Sequence, residues 1–118
     1  MTAVRLKSRH WIVDDQERII MGEGRRAIFE NIDKTGSINR TAKLMKMSYK
    51  GVWSKIKASE DYLQQRLVET DRSKGASLTA EGRKLLDKYI AFKEWCDREE
   101  KAVFKGIFHE RFSTDIDD

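Results

Sequence analysis

Six cations stand between Thr35 and Ser59, namely Arg40, Lys43, Lys46, Lys50, Lys55 and Lys57, with no Asp or Glu among them. This segment carries +6 in a chain whose net charge is +4, so the remainder sums to −2. Charge concentrated in this way suits a polyanionic partner. If Val52, Ile56 and Leu63 turn inward at helical spacing, Lys50, Ser54 and Lys57 face outward, with Ser48 and Tyr49 at the helix start and Trp53 at the edge. Cations on such a face meet phosphate, while hydroxyl and cationic groups near its N-terminus read base edges in a major groove. Ser37, Asn39 and Arg40 open the preceding helix, where side-chain donors join backbone N–H groups that lack helical partners. A solvated face on a three-helix core is the plainer alternative, although exposed surfaces usually mix their charge signs. Trp53 suits either a core edge or a base contact.

A second basic element is the turn Arg72-Ser73-Lys74-Gly75 between two short apolar runs. A wing laid against the DNA backbone has this composition, and so does any exposed hairpin. Catalytic and metal chemistry find no comparable support. His10 and His109 lie almost the whole chain apart, Cys96 has no neighbour at ligand spacing, and the seven glycines form no phosphate-cradling loop. The expectation is a binding protein with no catalytic residues, no metal and no cofactor.

The elements that must position these residues follow from periodicity and punctuation. Val4–Val13 and Arg18–Met21 predict a hairpin around Asp14-Asp15-Gln16-Glu17, although Ser8 and His10 break the alternation. A helix is predicted over Arg25–Lys34, with Ala27, Ile28 and Ile32 on one face and Phe29 on its flank. Gly36 is suited to cap its end and Ser37 to start a short helix over Ile38–Met45, with Ala42 and Leu44 inward. Ser48 caps a third helix running to Leu63. Leu67–Thr70 and Ala76–Leu78 read as the strands of the wing, and Thr79 caps a long helix from Ala80 to Gly106. The polar residues Ser113 to Asp118 are expected to fray.

The fold class is thus mainly α with small β-hairpins, a winged helix-turn-helix with a long C-terminal helix. At 118 residues one domain is expected: an N-terminal hairpin (1–21), a three-helix core (25–63), the wing (67–78) and the terminal helix (80–106). The single cysteine fits a reducing compartment, and no run is long and apolar enough for a membrane span or a secretory signal, so the cytoplasm is the expected location.

Particular residues carry a resemblance. Glu30 to Ile38, Thr41 to Lys50 and Trp53, above all the run Met47-Ser48-Tyr49-Lys50-x-x-Trp53, resemble the N-terminal DNA-binding domain of the ModE family. Leu67-Val68-Glu69, Leu78-Thr79-x-x-Gly82 and Leu85-Leu86 continue the match. Ser48, Val52, Ile56, Lys57, Glu60 and the Leu78 to Gly82 run also resemble the LysR-type winged helix. The resemblance implies a dimeric transcription regulator whose third helix enters the major groove. It places Ser48, Tyr49, Lys50 and Trp53 in the recognition segment and Arg72 to Gly75 in the wing. Lys46 stands where the family usually has Gly, and a positive φ there costs a non-Gly residue about 1 kcal/mol. The chain is expected to stand alone, without the molybdate-binding domains, so molybdate binding is not carried over.

The terminal helix offers an assembly surface. Leu85, Tyr89, Phe92, Cys96 and Val103 recur at spacings near three and four, interrupted by Glu99. This stripe is expected either to pack on the N-terminal hairpin or to form the seam of a homodimer that pairs two recognition helices. The resulting expectation is a sequence-specific regulator of double-stranded DNA lacking its own effector domain. A winged-helix module binding an acidic protein and a non-specific architectural DNA binder are the alternatives.

Overall fold

The computed structural model describes residues 3–109 and, as backbone, residues 113–114. In chain order the elements are β1 (Ala3–Val4), β2 (Ile12–Val13), β3 (Ile19–Met21), α1 (Glu23–Thr35), α2 (Ile38–Leu44), α3 (Tyr49–Leu63), β4 (Val68–Asp71), β5 (Gly75–Leu78), α4 (Ala80–Phe108) and β6 (Ser113–Thr114). They fall into two compact units, His10–Tyr89 on one hand and the N-terminal nine residues with the chain from Ile90 onward on the other.

The unit His10–Tyr89 is a winged helix. Strands β2 and β3 pair antiparallel with a register shift, and β4 and β5 form the wing, with Val68 opposite Leu78 and Asp71 opposite Gly75. Ile28, Phe29 and Ile32 of α1 bury against a core that includes Met21, Val52, Ile56 and Val68, each at most 1% exposed. Full burial of a side chain such as Val52 or Ile56 contributes about 1.5–3 kcal/mol. Between α1 and α2 the chain turns at once. Gly36 takes φ 69 and its N–H donates to Ile32 O, while Ser37 caps α2 by accepting from the Arg40 N–H at 3.1 Å.

Two leucines differ from expectation. Leu44 is 62% exposed because the buried face of α2 is Ile38, Thr41 and Ala42, and Leu44 lies about a third of a turn off it. Leu63 is on the buried face of α3, but as the last helical residue it is 37% exposed, and Ser59 and Glu60 are buried in its place.

The first strand is also shorter than its apolar content suggested. Only Ile12–Val13 pairs with β3, and residues 5–11 have no regular structure, since Ser8 and His10 supply no apolar side chain to the inward parity. Ala3–Val4 pairs instead, in parallel, with Ser113–Thr114, two residues expected to fray. The other residues of that expected frayed tail lie outside the described residues. In the unit containing these strands, Lys93 is 8% exposed and its ammonium pairs with Asp97 at 3.1 Å and donates to Ser8 O at 3.3 Å.

Candidate nucleic-acid interface

The residues that set the angle between α2 and α3 are few. Met45 ends α2, Lys46 adopts φ 54, and the Met47 N–H donates to Ala42 O at 2.9 Å, closing the turn. The positive φ expected at Lys46 is therefore present, in a residue with a Cβ. Ser48 then caps α3, accepting from the Gly51 N–H at 2.9 Å.

This start leaves Tyr49 49% exposed, with Ser48 and Lys50 beside it also exposed. One turn on, Ser54 is exposed and its hydroxyl donates to Gly51 O at 3.0 Å. Trp53 is half-buried, as a residue at the edge between faces should be. On α2, Asn39 and Arg40 are exposed, and Ser37 is committed to its cap. Arg40, Lys43, Lys46, Lys50 and Lys55 all reach solvent. Lys57 also reaches solvent, its side chain 45% exposed, but its ammonium lies 3.4 Å from Glu60 Oε1 and 4.9 Å from the centre of the Trp53 ring.

The wing is shaped by Asp71. Its Oδ1 accepts from the Ser73 hydroxyl at 2.7 Å, the Ser73 N–H at 2.8 Å and the Lys74 N–H at 3.2 Å. The Ser73 hydroxyl, then its N–H and that of Lys74, hold the Asp71 carboxyl below its ordinary value. Arg72, Ser73 and Lys74 are all exposed around this knot. The base of the wing is tied to the helix-turn-helix. Ala76 N–H donates to Gly36 O at 2.9 Å, and a Cβ on Gly75, whose φ is 87, would stand 2.2 Å from that same oxygen.

The run Leu78-Thr79-x-x-Gly82 joins the wing to α4. The Thr79 hydroxyl donates to Arg66 O at 2.7 Å and accepts from the Gly82 N–H at 3.0 Å, so one side chain clamps the strand and caps the helix. A Cβ on Gly82 would lie 2.1 Å from Leu67 O. Arg83 pairs with Asp33 of α1.

Two buried polar residues of α3 were not singled out as buried by periodicity. Ser59 donates to Ile20 O at 2.8 Å and accepts from Arg25 Nε at 2.7 Å, fixing α3 to β3; burial pushes the Arg25 guanidinium below its ordinary value. The Glu60 carboxylate accepts from the Leu67 and Val68 N–H groups at 2.8 and 3.1 Å, fixing α3 to the start of β4. Their signal was positional, since both fall three and four residues after Ile56 on the apolar face.

The expected seam of the terminal helix divides. Phe92 and Val103 are 44% and 59% exposed, and Leu85 is half-buried. Tyr89 and Cys96 are buried within the chain, which corrects their assignment to an intermolecular surface. The Tyr89 hydroxyl donates to His10 O at 2.8 Å and lies 3.1 Å from Glu23 Oε1, so this phenol belongs to the winged-helix unit. No helix among the described residues is long and apolar enough to cross a membrane.

Residues 26–83 match the bacterial regulatory helix-turn-helix proteins of the lysR family. The transcriptional regulator ModE of Yersinia pestis is 36% identical over 78 residues, 63% of this chain and 30% of that protein. The molybdenum transport protein ModE of Azotobacter vinelandii is 32% identical over 95 residues, 77% of this chain and 35% of that protein. The chain thus spans about a third of the length of these curated relatives. Among solved structures, the DNA-binding domain of CbnR in complex with DNA superposes with a TM-score of 0.61 at 22% identity, over 74% of this chain and 99% of that one. CbnR itself, a LysR family transcriptional regulator, gives 0.58 at 22% identity, over 72% of this chain and 29% of that one. At that identity the likeness establishes the winged-helix fold. Within this chain, residues 26–83 are a LysR-type, ModE-like helix-turn-helix DNA-binding domain.

Proposed function

We propose that the protein is a transcription regulator that binds double-stranded DNA sequence-specifically as a homodimer in the cytoplasm, with α3 in the major groove, and that it catalyses no reaction. The observation that carries this reading is the outer face of α3 and its surroundings. Tyr49, Lys50 and Ser54 stand exposed beside Trp53, and the cations Arg40, Lys43, Lys46 and Lys55 flank them without an acidic neighbour in sequence. In this reading Ser48, Tyr49, Lys50, Trp53 and Ser54 address the groove. Ser37, Asn39 and Arg40 face the backbone on one side, and Arg72, Ser73 and Lys74 of the wing on the other. Lys57, engaged by Glu60, is the exception.

Selection of bound duplexes from a random DNA pool tests the reading. A single enriched motif with two related half-sites is the expected result. Enrichment of no motif despite retained DNA supports an architectural binder, and retention of no DNA removes nucleic acid as the partner. On the enriched duplex, log affinity against log salt is expected to have a slope of about −4 to −8 per dimer. A slope near zero rules out phosphate contact by this face.

A further inference from the structure

Among the described residues, Lys57 is the basic side chain of the helix-turn-helix that faces a buried acid. Glu60 is 5% exposed, and its Oε2 is fixed by the Leu67 and Val68 N–H groups, so the carboxylate cannot swing out to water. A buried carboxylate is costly unless its charge is compensated. Lys57 compensates it at Oε1, 3.4 Å away, and Arg66 approaches Oε2 at 3.8 Å. The Lys57 ammonium is at the same time drawn over the face of Trp53, a second attraction toward the protein.

We propose that Glu60 is a positioning residue that limits the phosphate attraction of the recognition helix, by drawing Lys57 away from DNA phosphate while anchoring that helix to the wing. The proposal rests on the DNA-binding reading given above. A cation that meets phosphate without losing another partner adds to attraction for every duplex alike. Lys57 must leave Glu60 and Trp53 to do so, and its departure exposes a buried negative charge to the approaching backbone. Its contribution to phosphate attraction is thereby reduced on every duplex alike. The ion pair also holds the Trp53 ring under the ammonium, which limits the orientations the ring can present.

The test uses the full chain, with anisotropy titrations on a selected duplex and on a scrambled one of equal length across a range of salt. Glu60→Gln keeps an acceptor for the two N–H groups and removes the charge. The expected result is binding of the scrambled duplex tightened about three- to eightfold per chain near 0.1 M salt, with a slope steeper by about 0.9 per chain, as one more phosphate contact requires. The selected duplex tightens by the same factor, because a phosphate contact adds to every duplex alike, and adding Lys57→Gln reverses both the tightening and the steepening. A purely structural role predicts instead that Glu60→Gln weakens both duplexes together with no steepening, and that result overturns the proposal. So does a steeper slope that survives Lys57→Gln. If Glu60→Gln fails to fold by circular dichroism, single substitutions in the otherwise unchanged chain decide. Lys57→Gln is expected to flatten the slope by less than half as much as Arg40→Gln, and equal flattening overturns the proposal. A wild-type chain with no affinity for either duplex fails differently: it overturns the DNA-binding reading itself.

Discussion

Lys50 and Lys57 are both lysines of one helix, yet among the described residues only Lys57 pairs with an acid. Lys50 is exposed one residue into α3, where a recognition helix approaches base edges, and it has the freedom to follow them. Lys50→Ala is expected to cost about 1–3 kcal/mol on the selected duplex and to relax preference at one base position. Equal affinity of variant and wild type on a panel of single-base substitutions would remove Lys50 from the readout. The wing offers a pH-dependent counterpart. The folded state depresses the Asp71 pKa, chiefly through the Ser73 hydroxyl, so the unfolded turn binds the proton more tightly. Stabilisation of the turn is then complete above the ordinary carboxylate value of 3.8 and is lost as pH falls through the lower folded value. Amide resonances of Ser73 and Lys74 should titrate together in that acid window. In Asp71→Ala, where the acceptor is gone, this common transition is expected to vanish.

At the scale of elements, close backbone approach does as much as apolar burial. The first turn of α4 sits so near Leu67 that a Cβ at residue 82 would stand 2.1 Å from its carbonyl oxygen. Gly82→Ala must therefore displace helix or strand, at a cost of about 1–3 kcal/mol, lowering the Tm by several degrees. An unchanged Tm would mean that the approach relaxes freely. Much of this architecture was legible beforehand, because caps and apolar spacing are local signals. Gly36, Ser37, Ser48 and Thr79 end or start the helices they were expected to, and the wing strands fall within a residue of their expected limits. The readings that failed depended on tertiary placement. Leu44 and Leu63 are apolar letters at helix ends where no core remains to receive them. Ser59 and Glu60 are polar letters whose burial is offset by backbone partners outside their helix, on β3 for Ser59 and at the start of β4 for Glu60. Among the candidate contacts, helical spacing foretold the exposure of Lys50 and Ser54 but not the capture of Lys57, which needs a carboxylate fixed by strand N–H groups.

At the scale of the whole molecule, α4 has more length than one winged helix uses. Its 29 residues extend about 44 Å. Beyond Tyr89 it exposes Phe92, Trp95, Val103 and Ile107 by 44%, 55%, 59% and 70%. Phe92, Trp95 and Val103 fall on one stripe, with Ile107 at its margin and Glu99 between. Apolar surface of this kind on a helix suits a partner, and in the proposed homodimer a second copy would supply the two recognition helices that a repeated half-site requires. The substitution that tests this must spare the interior. Tyr89→Glu would not, because Tyr89 is 2% exposed and hydrogen-bonded to His10 O, so it should unfold the winged-helix unit instead of dissociating a dimer. Val103→Glu places a charge on the exposed stripe and leaves the DNA-facing residues untouched. By sedimentation velocity at micromolar concentration, the wild-type chain is expected to run as a dimer and Val103→Glu as a monomer with unchanged helical content. Affinity of the variant for a two-half-site duplex should drop by at least tenfold, while affinity for an isolated half-site stays the same, since linkage between two contacts is all that is lost. A wild-type chain that sediments as a monomer and still binds the double site tightly would rule out assembly through this helix.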